Sequence, residues 1–261
     1  MVDCHAHNVA HMQKDEQQHT QGNIPSPFTA EDRFKRASGQ TKQNPSFHGL
    51  PIERLRRRKQ LVQNGVTWRM SIDQIKRYCS IMGEKLANRT VYDYVNRTKQ
   101  PKRYDKTGRD QTHHDYMTFE CFLKICDGFK KLGAEPAAIR FNQSPGEKAG
   151  FRFDFKFRIG KYLFYGEVQL SDLAGTNWRR KHKGYVRWYE RNTFPFRVLM
   201  VIDQKRDMST VRAHAREVLQ DHPNLNLYLY TTLNDLQASD NPVLEPIWRD
   251  AKGIKTALAS S

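Results

Sequence analysis

The chain has 261 residues, with 44 Lys and Arg against 28 Asp and Glu, for a formal charge of +16. That length allows one large domain or two small ones with a real core, and that charge exceeds what solubility needs, so a polyanionic partner is expected, nucleic acid ahead of an anionic membrane. No apolar run approaches the ~20 residues that span a bilayer, and the N-terminus lacks the blocks of a signal peptide, so a cytoplasmic protein with no membrane partner is expected.

In chain order, residues 1–48 are rich in Gln, His, Asn and Ser and show no periodicity, which predicts a disordered polar tail. The tail carries five basic and five acidic residues up to position 50, whereas residues 51–115 hold sixteen Lys and Arg against seven Asp and Glu. Phosphate binding is therefore expected to begin in this second segment. Helical patterning starts at "LPIERLRRRKQLVQNG". Ser71 with Gln74 resembles a capping box ahead of "IDQIKRYCSIM", where Ile72, Ile75, Cys79 and Met82 share a face. A short Gly-containing turn leads to "RTVYDYVNRTK", with Asn88 as N-cap and Val91, Tyr94 and Val95 buried. Two helices so joined read as a helix-turn-helix, and "KRYDKTGRDQTHHDYM" as a basic wing. Arg89, Arg97, Lys99, Lys102, Arg103, Lys106 and Arg109 gather there as DNA phosphate contacts, over a winged-helix region spanning 49–117. The alternative for this segment is a small helical bundle with a solvated charged face.

From residue 118 the pattern changes. "MTFECFLKICDGFKKLGA" is an amphipathic helix and "QSPGEKAG" a loop. There follow a hairpin over 150–172, a basic helix "NWRRKHKGYVRWYERN", a buried strand "FRVLMVID", a helix "STVRAHAREVLQ" and a strand "LNLYLYTTL". This order predicts an α/β sandwich around a mixed central sheet over 118–250, with a flexible tail over 251–261. Arg179 and Arg180, which open the second basic cluster, join the expected DNA contacts. Cys4, Cys79, Cys121 and Cys126 have no CxxC spacing and read as reduced thiols filling core.

The hairpin "GFRFDFKFRIGKYLFYGEVQLSD" carries the chemistry. Alternation puts Phe151, Phe153, Phe155 and Phe157 on one face and Arg152, Asp154 and Lys156 on the other; Tyr165, Glu167 and Gln169 share a face of the second strand. With a two-residue turn at Ile159 and Gly160, or a four-residue one over 158–161, Asp154 faces Tyr165. Glu167 is then its diagonal neighbour, with α-carbons about 7–8 Å apart; a three-residue turn would break this parity. Two desolvated carboxylates so placed call for a cation, and Mg²⁺ or Mn²⁺ suits oxygen ligands. Gln169 would orient a bound water or supply an amide oxygen ligand, and a lysine from elsewhere, Lys156, Lys181 or Lys183, would meet the phosphate. The alternative is an ordinary hairpin with one face packed and one solvated.

These residues resemble the PD-(D/E)xK nuclease superfamily. Asp154 matches its first acidic position, with Phe153 where Pro often stands, and Glu167-Val168-Gln169 matches its acidic-x-Lys pair with Gln in place of Lys. With Lys181 followed four residues later by Tyr185, and a winged helix in front, the chain is similar to plasmid replication-relaxation proteins and MobC-type mobilisation relaxases. The resemblance covers roughly residues 51–235. It implies a restriction-endonuclease-like core and metal-dependent nicking of plasmid or mobile-element DNA, beside other relaxosome or replication proteins. Asp154 and Glu167 would hold the metal, Gln169 place the nucleophile and Lys181 or Lys183 stabilise the phosphate, with Tyr185 or Tyr165 as a conceivable nucleophile. Because Gln169 departs from the pattern, the competing reading is an inactive nuclease-fold protein serving as a DNA-binding accessory; an RNA-binding protein that stacks bases on Tyr and Trp is a third. His5 and His7 in "VDCHAH" have polar flanks and read as tail residues, and His113 and His114 as surface residues of the wing.

Overall fold

A computed structural model of the chain describes residues 51–97, 113–145, 150–170, 173–192, 194–203, 207–222 and 226–259. The expected tail over 1–48 lies outside these residues, as do Lys99, Lys102, Arg103, Lys106 and Arg109.

Helix α1 (Pro51–Thr67) begins at a proline, whose fixed φ and missing N–H suit a first helical turn. It buries Leu61, Val62 and Val66. Helix α2 (Ile72–Ile81) has the expected capping box: Ser71 Oγ accepts the Gln74 N–H at 3.2 Å, and Gln74 Oε1 accepts the Ser71 N–H at 3.0 Å. A turn containing Gly83, at φ +82, leads to α3 (Asn88–Arg97). Inside that turn the buried Glu84 is gripped by Arg58 at 2.7 Å and Arg54 at 3.3 Å. Arg57 binds Glu135 at 2.9 Å and Arg77 binds Glu120 at 2.5 Å. Four arginines from the most basic stretch of sequence are thus committed to internal carboxylates.

Helix α4 (His113–Lys131) starts inside the stretch expected to be wing, and it runs through the expected boundary at residues 117 and 118. The expected helix begins at Met117, with Met117, Cys121, Phe122, Ile125 and Phe129 all buried; the turn ahead of it joins α4 with His114 seated on the sheet, its Nε2 2.8 Å from the Val168 carbonyl oxygen. A single apolar cluster joins α1, α2, α3 and α4 to the sheet.

The sheet has seven strands in the order β1 to β7: β1 (Ala137–Gln143), β2 (Phe153–Ile159), β3 (Tyr162–Gln169), β4 (Phe196–Ile202), β5 (Tyr228–Thr232), β6 (Trp248–Arg249) and β7 (Lys255–Thr256). β3, β4 and β5 run parallel and the outer pairings are antiparallel, so the sheet is mixed as expected. Helices α5 (Gly175–Arg191) and α6 (Met208–Val218) make the two parallel crossovers. They cover one face of the sheet with Trp178, Tyr185 and Val211; α4 and the short α7 (Leu233–Ala238) cover the other. Burial on both faces explains the nearly unbroken apolar run of β4.

Four expectations need correction. Edge strand β1, where a loop was expected to follow α4, presents only Ile139 and Phe141 to the core, too few for an alternating signal. Residues 251–259, expected to belong to a flexible tail, are part of the fold: β7 pairs with β6, and Leu258 and Ala259 are buried. The hairpin turn falls at Gly160 and Lys161, Gly160 taking φ +54, so Phe155 pairs with Gly166 and Lys156 with Tyr165. The ladder ends there, and Asp154 reaches the next part of β3 through its side chain, at the Val168 N–H. Finally, the hairpin's second face is not solvated. Tyr165 and Phe153 lie in the cluster under α5, while Phe155 and Phe157 lie under α4, so the alternation of β2 breaks at Asp154. Among the described residues no helix is long and apolar enough to cross a membrane.

Gly166 is a glycine because the buried Phe155 ring lies flat across it: a Cβ there would stand 2.0 Å from Phe155 Cζ. Gly166→Ala must therefore displace that ring, and we expect a loss of roughly 1–3 kcal/mol of stability, measured by urea denaturation. Phe155→Leu in the same background should restore part of it.

Candidate active site

Glu167 lies near the C-terminal end of β3, paired with Met200 of β4 just beyond the last β2 pair at Gly166, and its side chain is 2% exposed. Such a group is costly unless its oxygens are satisfied. Two residues one turn apart on α5 do this. Lys181 Nζ lies 2.5 Å from Glu167 Oε2, and the Tyr185 hydroxyl donates to Oε1 at 2.5 Å. The spacing of four residues puts both side chains on the helix face turned to the sheet. Burial pushes the Glu167 carboxyl up to about 7; Lys181 opposes this, and the nearby charge of Asp154 adds to it. Burial also works against the Lys181 ammonium, but the carboxylates of Glu167 and Asp154 outweigh it and hold its pKa above the ordinary lysine value. The Tyr185 phenol is raised far above its usual range, first by burial and then by Glu167. The same face of α5 continues with His182, whose Nδ1 lies 2.8 Å from the Trp178 carbonyl and whose Nε2 lies 2.9 Å from the Tyr230 hydroxyl. Burial holds that imidazole neutral, with a pKa of about 3.

Asp154 stands where β2 leaves its ladder with β3. Its Oδ2 accepts the Val168 N–H at 2.7 Å, and His114 Nε2 lies 2.8 Å from the Val168 carbonyl oxygen. Both main-chain groups of Val168, the residue after Glu167, are thus satisfied by side chains on this edge. His114 Nε2 is also 3.6 Å from Asp154 Oδ2, and Asp154 raises the imidazole pKa to about 9 against the opposing effect of burial. His114, expected on the surface of a wing, is therefore part of the site. The signal was its spacing: His114, Thr118, Cys121 and Ile125 lie on one helical stripe.

The remaining expected residues divide. Gln169 ends β3, its carbonyl accepting the Asp203 N–H at 3.0 Å. Lys156 turns to aromatic rings: its Nζ lies 5.9 Å from the Phe153 ring centre and 5.7 Å from that of Tyr165. Lys183 and Arg180 are exposed on the outer side of α5, and the half-buried Arg179 beside them pairs with Glu217. Arg89 is exposed on α3, on one face with Tyr92, Asp93 and Asn96. Arg97 closes that helix. Cys79, Cys121 and Cys126 are buried free thiols, as expected.

No protein-family model, curated protein or solved structure matches the chain.

The donor chemistry of Asp154 and Glu167 suits a hard divalent cation. Among the described residues no group of three or more His, Cys, Asp and Glu side chains could hold a metal ion. A metal here would therefore take two protein carboxylates at most from this set and draw on water and phosphate oxygens for the rest, as Mg²⁺ commonly does. The influence of Asp154 on the raised Glu167 pKa is a repulsion that a dication would relieve.

The Glu167 shift has a consequence for stability. Its folded pKa of about 7 lies above the ordinary 4.5, so the folded state binds this proton more tightly than the unfolded chain does. The stabilisation linked to that proton is fully present below about pH 4.5 and is lost as the pH rises through 7. The stability of the wild type relative to Glu167→Gln should accordingly fall between pH 5 and pH 7.5 in denaturant titrations; a flat difference would contradict the assigned shift.

Proposed function

We propose that the chain is a DNA-binding, divalent-metal-dependent endonuclease that nicks one strand of plasmid or mobile-element DNA. The observation that carries the reading is the ion pair of Lys181 with Glu167. Where Gln169 leaves a nuclease-like hairpin without its lysine, α5 brings an ammonium to the same carboxylate. The order of a helix, three antiparallel strands and a parallel crossover supports the same reading. The plasmid-relaxation role rests on the sequence resemblance.

In this mechanism Asp154 and Glu167 would hold the Mg²⁺ or Mn²⁺ ion, which when bound supplies Lewis-acid polarisation of the phosphodiester. Lys181 places a fixed positive charge beside the scissile group, where negative charge grows in the transition state. Tyr185 holds the Glu167 carboxylate in one orientation, and its buried, raised phenol suits that role better than attack on phosphorus. His114 and the Val168 N–H hold Asp154. The exposed Arg89, Tyr92 and Asn96 of α3 would contact the duplex.

One observation favours the non-enzymatic reading, a DNA-binding accessory with a nuclease-like frame: each Glu167 oxygen already has a protein partner. The two readings separate in a nicking assay on supercoiled plasmid with Mg²⁺ or Mn²⁺. The wild type should nick, while Asp154→Ala, Glu167→Ala and Lys181→Met should each lose about 10²-fold or more in rate with DNA binding retained. Equal behaviour of all four proteins would remove the enzyme reading.

A further inference from the structure

Helix α5 has a second working face. Its inner stripe of Trp178, Lys181, His182 and Tyr185 is spent on the sheet, while Arg180, Lys183 and Arg187 follow one another on the outer side and are exposed. Successive members of such a stripe stand about 5–6 Å apart. They border a groove of about 510 Å³ between α5 and the end of α6, with Val186 and Val218 among its lining residues. Contacts between the two helices tie the groove near both ends: Arg179 Nε lies 2.6 Å from Glu217 Oε2, and His222 Nε2 lies 3.2 Å from Glu190 Oε1. Between these ties, Arg180, Lys183 and Arg187 have no carboxylate partner among the described residues. This contrasts with Arg54, Arg57 and Arg58 of α1 and Arg77 of α2, which are held by Glu84, Glu135 and Glu120.

We propose that this groove binds the phosphate backbone of a single DNA strand. A groove of about 510 Å³ is too small to seat a duplex, whereas one strand can lay its phosphates along the cationic stripe. Valines lining the groove suit the apolar edges of sugars. Because Lys181 and the stripe ride on one rigid helix, a strand held outside would be fixed relative to the Glu167 carboxylate inside. The inference rests on the DNA-cleaving reading for its choice of ligand, but the binding can be tested separately.

The test is fluorescence anisotropy of a labelled single-stranded DNA of about 20 nucleotides, long enough to fill a typical single-strand site, with a matching duplex in parallel. Titrations run from about 50 to 200 mM salt. The full chain is compared with Arg180→Ala/Lys183→Ala/Arg187→Ala and with a control that removes the same charge elsewhere, Lys161→Ala/Lys252→Ala/Lys255→Ala. All six side chains are exposed, so folding should be preserved, and circular dichroism checks it. The groove variant should bind the single strand at least about tenfold more weakly, with the salt slope reduced by about 2, the share of three phosphate contacts on a single strand. Unchanged affinity, an equal loss in the control, or a loss confined to the duplex would overturn the proposal. A wild type that fails to nick plasmid while the groove result holds would remove the cleavage reading alone; normal nicking with unchanged single-strand binding in the groove variant would remove the groove alone.

Discussion

A carboxylate buried in the middle of a sheet must have both oxygens occupied, and much of this structure follows from how Glu167 meets that demand. Its partners, Lys181 and Tyr185, come from one face of α5, so the helix cannot rotate or slide without leaving a buried charge uncompensated. The same face makes further polar contacts to the sheet: His182 meets the Tyr230 hydroxyl, and the Tyr228 hydroxyl donates to the His182 carbonyl at 2.7 Å. A crossover helix held only by apolar packing would tolerate small shifts. This one is pinned to β3 and β5 by hydrogen bonds of defined geometry, which is what a site with fixed charges needs.

The second constraint is the parting of β2 from β3. An antiparallel ladder that continued through Val168 would use its N–H and carbonyl for strand pairing; here Asp154 and His114 take them instead. Side chains thus replace backbone at the point where the hairpin opens. Asp154 is left at the mouth of the opening, beside the carboxylate of the facing strand. The cost of interrupting the sheet is offset by these substitute bonds and by the aromatic packing on either side, with Phe153 against Tyr165 and Phe155 stacked across Gly166.

The positive charge of the chain has two different destinations. Around α1 and α2, Arg54, Arg57, Arg58 and Arg77 close ion pairs with Glu84, Glu135 and Glu120 and hold the helices together. On the outer side of α5 the cations face solvent along a groove. Counting Lys and Arg along the sequence cannot separate these uses, because the carboxylates that neutralise the first group lie 26 to 78 residues away in the chain.

The sequence by itself determined the mixed α/β class, the capping box at Ser71, most of the helices and central strands, and the placing of Asp154 and Glu167 on adjoining strands of one hairpin, because each depends on local periodicity or on strand alternation. It missed β1, whose edge position leaves only two apolar residues to reveal it, and it placed the hairpin turn one residue early. What tertiary structure decided were the partners of charged groups. Lys156, Lys181 and Lys183 are equivalent as residue types, but only Lys181 is turned by its helix onto Glu167. His114 reaches Asp154 only because α4 starts a turn earlier and crosses the end of β3. Such contacts join segments that are distant in the chain, and they are set by how helices seat on the sheet.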